Sequence, residues 1–289
     1  MIPKKDFKET LKKMLRLSAT RLPRDIKEKL EEAKGKEENE TAKEQLNNIL
    51  KNLKIAEEKE KPLCQDTGTP IFFIKKPTQK SLNFNLGKTV KEAVEESTEE
   101  IPLRPNIVDP LSRKNLETNT GLKHPIIHLI PSKSTLQVET MLKGGGSENW
   151  SKLFMLNPTA SEEEIVQKIT NFLKEAGGQF CPPGIIGIGI GGTADYASFL
   201  AKKSLLNPLD KSNDSKNLGE LEEKITEKVN DIGSGPMGLG GNTTILGTNV
   251  EKAGCHTASL PLGINLQCWA ARRSKARMID DELTIEVPK

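Results

Sequence analysis

Cys64 is followed at once by Gln65 and Asp66, which places a possible metal ligand, a hydrogen-bonding amide and a carboxylate suited to proton transfer in three successive positions. Cys181 precedes Pro182 and Pro183, which stiffen the backbone on one side of the thiol. Cys268 precedes Trp269 and the pair Arg272–Arg273, and Cys255 precedes His256. His256 is flanked by the small residues Thr257, Ala258 and Ser259, so it reads as an exposed acid, base or substrate donor; a lone histidine is more often structural. The chain has no Cys-x-x-Cys pair, which argues against a structural zinc site. Two readings of the cysteines stay open on residue type alone. They are buried thiols, or three of them hold three irons of a four-iron cluster whose remaining iron is open and acts on a substrate oxygen as a Lewis acid.

Three further stretches carry chemistry. Arg104 lies in Leu103-Arg104-Pro105-Asn106, where proline presets the loop and the guanidinium can clamp a carboxylate with two parallel hydrogen bonds. Lys143-Gly144-Gly145-Gly146-Ser147-Glu148-Asn149 offers backbone N–H groups to an anion, or is a simple turn. Gly187-x-Gly189-x-x-Gly192 matches a dinucleotide fingerprint, but the strand and ribose-binding acid expected about 20 residues on fall in the polar run Asn207 to Lys211. The stronger reading of these glycines is that they let the strand and the helix approach something closely.

The elements that must position these residues follow from periodicity. Phe7, Leu11, Met14 and Leu15 share one helical face; Ile26 and Leu30, then Leu46, Ile49, Leu50 and Leu53, continue a helical layer over residues 1 to about 60. Ile71 to Ile74 predicts a short buried strand, 88–99 a helix, 126–130 a strand, and the alternation from Leu136 to Leu142 another strand. Ser161 and Glu164 form a capping box ahead of an apolar helix. The glycine-rich stretch after Cys181 predicts a buried strand, followed by a helix over 194–206 and another around Leu221, Ile225 and Val229. Strands are expected at 243–250 and 283–287, with 255–267 mostly extended. The fold class is α+β: a helix-rich N-terminal layer (1–60), then mixed helices and short strands (61–289), all in one domain.

Composition narrows the function. Lys and Arg number 43 against 40 Asp and Glu, a net charge of +3, and the basic residues are interleaved with glutamate, so no nucleic-acid footprint stands out. No apolar run has the length of a membrane span, and the first residues lack an apolar signal core, so a cytoplasmic protein with unpaired cysteines is expected.

In this order, Cys-Gln-Asp-Thr-Gly (64–68), Leu-Arg-Pro-Asn (103–106), Lys-Gly-Gly-Gly-Ser-Glu-Asn (143–149), Cys-Pro-Pro-Gly (181–184), His-Thr-Ala-Ser-Leu-Pro-Leu-Gly (256–263) and Cys268 to Arg273 resemble the α subunit of the iron–sulfur hydro-lyases, class I fumarate hydratase and L-tartrate dehydratase. The resemblance runs over essentially the whole chain. It implies a [4Fe-4S] cluster on Cys64, Cys181 and Cys268, with one iron open to substrate and Cys255 a bystander. It implies catalytic roles for Asp66 and His256, and a substrate site made from Gln65, Asp66, Arg104, Gly146 and His256. It also implies a separate β subunit that completes the site for a small dicarboxylate, in an (αβ)2 assembly. The expected reaction is reversible dehydration of (S)-malate to fumarate, with dehydration of L-tartrate to oxaloacetate as the alternative. A non-catalytic assembly or binding subunit and an NAD-dependent enzyme are the readings from other classes.

Overall fold

The computed structural model describes residues 2–78, 82–101, 103–133, 135–280 and 282–286. It is α+β, with helices at the N-terminus followed by two mixed sheets interleaved with helices. The chain divides into two compact units, each assembled from separated stretches of sequence. The first comprises residues 1–24, 52–145 and 272–289, and the second 25–51 and 146–271. With both units discontinuous, no single linker marks a boundary.

In the first unit, α1 (Lys4–Thr20) lies beside a later helix and over a five-stranded sheet. The helices α2 (Arg24–Lys36) and α3 (Glu40–Glu58) follow in sequence, and most of α2 and the first part of α3 belong to the second unit. Strand β1 (Thr69–Pro77) precedes α4 (Leu86–Glu100), whose N-cap Asn85 accepts from the Lys88 N–H. Strands β2 (Ile126–Ser132) and β3 (Gln137–Lys143) come next. β1 pairs parallel with β2 and antiparallel with β3. One core gathers Phe7, Leu11, Met14 and Leu15 of α1, Val90, Ala93 and Val94 of α4, and Phe72, Ile74, Val138 and Leu142 from the sheet. The apolar stripe read from the first helix is therefore the face that it buries.

In the second unit, the short helix α5 (Gly145–Glu148) begins at the boundary, and β4 (Ser151–Leu156) leads to α6 (Glu162–Ala176). The capping box at the start of α6 forms: Ser161 Oγ accepts from the Glu164 N–H and Glu164 accepts in return from the Ser161 N–H. Strand β5 (Gly184–Gly191) and α7 (Ala194–Ser204) carry the glycine fingerprint, and α8 (Lys216–Asn230), β6 (Ile245–Ala253) and β7 (Leu260–Gln267) complete the unit. The sheet order is β4-β7-β5-β6, with β5 and β6 parallel. Ile186, Ile188, Leu262, Ile264 and Leu266 face α6 and α8. On the opposite face α7 sits directly on glycines. A Cβ on Gly187 would stand 2.1 Å from the Ala201 carbonyl oxygen, one on Gly189 2.1 Å from that of Ala197, and one on Gly263 2.5 Å from the same Ala197 oxygen. The fingerprint is a packing floor for a helix.

The chain then returns to the first unit through β8 (Arg273–Ile279) and β9 (Glu282–Ile285), extending that sheet to β2-β1-β3-β8-β9. Val287 of the expected last strand lies outside the described residues. No described helix is long and apolar enough to cross a membrane.

Candidate active site

In the first unit the Cys64-to-Gly68 turn and the Leu103-to-Asn106 loop are tied together. The Arg104 N–H donates to Thr67 Oγ1 at 3.0 Å, and Asn106 Nδ2 donates to Asp66 Oδ1 at 3.3 Å. Buried Asn119 secures the loop from beneath, donating to the Arg104 carbonyl at 2.7 Å and accepting from the Asn106 N–H at 2.7 Å. Gly68, at φ 85°, passes so close to β3 that a Cβ would lie 2.6 Å from the Leu142 carbonyl carbon, so only glycine closes this turn. These ties leave Gln65 and Arg104 exposed side by side. With its amide oxygen turned toward the guanidinium, Gln65 accepts from Arg104 Nη1 at 3.3 Å and Nη2 at 3.0 Å. The result is a held guanidinium facing solvent, suited to a carboxylate.

Asp66 is more constrained than its sequence position suggests. Oδ1 accepts from the Gly68 N–H at 2.9 Å and from Asn106, and Oδ2 accepts from the Gly145 N–H at 2.7 Å. Its main-chain oxygen accepts from Arg272 Nη1. The carboxylate is thus a hub for three N–H donors, and it fixes the glycine run against the Cys-Gln-Asp turn. Gly145 is the glycine that meets Asp66; Gly146, next to it, is exposed at the start of α5.

In the second unit Cys181 and Cys268 come together. The Trp269 N–H donates to the Cys181 carbonyl at 3.2 Å, which places the two cysteine segments at one end of the sheet, where β5 begins and antiparallel β7 ends. Cys181 has φ 57°, and Pro182 is pinned by the Met237 N–H on its carbonyl at 2.8 Å, so the thiol projects from a rigid, exposed turn. His256 and Cys255 stand at the other end, before β7 starts, on a cavity of about 620 Å³ lined also by Met155, Tyr196 and Ser259. At about 3.3 Å per residue, the length of β7 puts roughly 25 Å between that end and Cys268. His256 Nδ1 accepts from the Ala258 N–H at 3.1 Å, which orients the ring.

The order and spacing of these motifs are matched by a family model described as fumarate hydratase (Fumerase), over residues 8–277. The chain belongs to that fumarate hydratase family. Among curated relatives, it is 47% identical over 270 residues to a Methanocaldococcus jannaschii protein named, provisionally, L(+)-tartrate dehydratase subunit alpha, covering 92% of this chain and 95% of that one. It is 31% identical over 270 residues to the L(+)-tartrate dehydratase subunit alpha of Escherichia coli K12, covering 93% and 89%.

The thiols of this family member suit an iron–sulfur cluster by type and setting. All four cysteines are free of disulfides, and Cys64 and Cys268 are partly exposed while Cys181 is exposed. Among the described residues no three His, Cys, Asp or Glu side chains gather as a site for one metal ion. A cluster asks for something different, with each thiolate on its own iron. Sequence reading quoted Asn106 and Arg272 inside motifs without giving either a role, and did not single out Asn119; all three are far from Asp66 in sequence.

Proposed function

We propose that this family member is the α subunit of an iron–sulfur hydro-lyase that dehydrates L(+)-tartrate to oxaloacetate and water. The observation that carries the substrate is the similarity, over nearly the full length of both chains, to proteins named for L(+)-tartrate dehydration. This replaces (S)-malate as the first choice; the family description keeps malate and fumarate as the second. The same names, each a subunit alpha, support a partner β subunit; the assembly proposed with it is (αβ)2.

In the proposed reaction one carbon of the dicarboxylate loses a proton to a base and its neighbour loses a hydroxyl, which leaves as water; the resulting enol tautomerises to the keto acid. A [4Fe-4S] cluster held by Cys64, Cys181 and Cys268 would supply, when bound, the Lewis acid for the departing hydroxyl. The chain's own residues do the rest of the positioning. Arg104, steadied by Gln65, grips one carboxylate and stabilises the charge that builds there as the C–H bond breaks. Asp66 holds the Gly144–Gly146 run in place, so that backbone N–H groups, Gly146 among them, face the substrate. Within its own unit His256 lies a strand's length from Cys181 and Cys268.

The test is steady-state kinetics of the anaerobically reconstituted αβ complex on L-tartrate and (S)-malate. A kcat/KM for tartrate well above that for malate is expected. The reverse ranking would restore the malate reading, and a complex without iron, visible cluster absorption or turnover would point to a non-catalytic assembly subunit.

A further inference from the structure

Arg272 is among the largest fully buried side chains of the protein, 1% exposed, yet it carries a permanent charge. Nη1 donates to the Asp66 main-chain oxygen. Nη2 and Asp66 Oδ2 each lie 3.2 Å from the point where a Cβ on Gly144 would stand, so guanidinium and carboxylate flank that glycine. Buried Nε has no hydrogen-bond partner among the described residues. A buried charge so sparingly satisfied is poor for stability, and an apolar side chain of similar volume would serve a core better. What the arginine does is hold Asp66 from behind.

We propose that Arg272 is a positioning residue of the hydro-lyase site. It acts through Asp66: the guanidinium locks the Asp66 peptide and draws its carboxylate toward Gly144. The carboxylate then keeps the Gly68 and Gly145 N–H groups and Asn106 in register with the Gln65–Arg104 pair. Gly144 is glycine because any side chain there presses between the two charged groups. The catalytic part of this inference rests on the hydro-lyase reading.

The test uses the αβ complex, with Arg272→Gln, Arg272→Lys and Gly144→Ala in the α subunit. Activity is normalised to intact cluster from iron content and visible absorption, and hydrogen–deuterium exchange is followed in peptides carrying Gly68 and Gly145. Misplacing a positioned group by about 1 Å costs up to roughly a hundredfold in rate, so Arg272→Gln should lose about ten- to a hundredfold in kcat per cluster. KM should stay within about threefold, since the Arg104 clamp is intact. Exchange at both glycine peptides should quicken. Arg272→Lys, which can still reach the Asp66 carbonyl, should fall between Gln and wild type in both readouts. Gly144→Ala displaces the guanidinium without removing it and should lose several-fold in kcat at an unchanged melting temperature.

A loss that tracks cluster content or melting temperature alone, with kcat per cluster and exchange unchanged, would make Arg272 merely structural and overturn the proposal. If Arg272→Gln does not fold, unchanged kcat and exchange in Gly144→Ala and Arg272→Lys would overturn it as well. A wild-type complex that dehydrates neither tartrate nor malate would sink the hydro-lyase reading itself, while the exchange rates still decide whether Arg272 holds Asp66.

Discussion

At the residue scale, the cysteines separate by neighbourhood. Cys181 and Cys268 are joined through the Trp269 N–H, whereas Cys255 lies at the far end of β7 with His256. Cys181→Ser and Cys268→Ser should each abolish the visible absorption of the anaerobically loaded complex and reduce its iron content; Cys255→Ser should leave both intact. Loss of the chromophore in Cys255→Ser with retention in Cys268→Ser would reverse the assignment. Arg104→Lys tests the clamp. A lysine keeps the charge but loses the planar fork and the bond to Gln65, so KM for the dicarboxylate should rise about tenfold or more with cluster content unchanged. The motifs Cys-Gln-Asp and Leu-Arg-Pro-Asn were legible in the sequence, because their residue types stand out locally. Arg272 was not. Its partner Asp66 lies 206 positions away, and adjacent arginines near a C-terminus ordinarily read as surface charge.

At the scale of elements, the glycines of β5 make the sharpest case. Gly189→Ala would drive a methyl to 2.1 Å from a helix carbonyl, with no flexible side chain to yield, so α7 must move off the sheet. A loss of about 3 kcal/mol is expected, measurable by urea unfolding; a change within experimental error would mean that α7 does not rest on that strand. Helices α1 and α4 are bridged by a ladder in which Lys4 meets Glu92, Lys8 meets Glu96, and Lys12 meets Glu96 and Glu100. The lysine hydrogen bonds hold the Glu92 and Glu96 carboxyls below the usual glutamate value. Their contribution is therefore present above the ordinary glutamate pKa and lost as pH falls through the lower folded values. Lys12, raised chiefly by its hydrogen bond to Glu100, works in the opposite sense: its contribution is complete below the ordinary lysine pKa and fades only as pH climbs through the higher folded value. Partly exposed as it is, Glu96 contributes under about 1 kcal/mol. Glu96→Gln should lower the neutral-pH melting temperature slightly and blunt its fall between pH 5 and roughly 3, around the reference glutamate pKa. An acid limb identical to that of wild type would show that the ladder does not contribute. The helices here were legible because their apolar stripes are long. Strands β4 and β8 were not. β4 is a half-exposed edge strand without apolar–polar alternation, and in β8 (Arg-Ser-Lys-Ala-Arg-Met-Ile) only Ala276 is fully buried. A strand held between β3 and β9 by backbone bonds needs few apolar side chains to stay there.

At the scale of the whole molecule, the site accounts for less than a dicarboxylate requires. The proposed substrate has two carboxylates, but around the Cys-Gln-Asp turn Arg104 is exposed whereas Arg272 is buried behind Asp66. Proton abstraction needs a base aimed at the substrate, and the Asp66 carboxylate has three of its roughly four acceptor positions taken by N–H donors. The proposed reaction therefore expects a second cation and a better-placed base from the β partner, in keeping with relatives named subunits alpha. Titrating the cluster-loaded chain with its β partner should raise tartrate turnover from background to a plateau at one partner per chain. The gain should be at least about a thousandfold, since a missing general base alone is worth 10² to 10⁴ in rate and a missing carboxylate contact adds to it. The KM of any residual activity should also exceed that of the complex, because half of the carboxylate recognition would be absent. Full turnover by the isolated chain would mean that Asp66 gives up its N–H donors to act as the base, and that Arg104 alone is enough to hold the substrate.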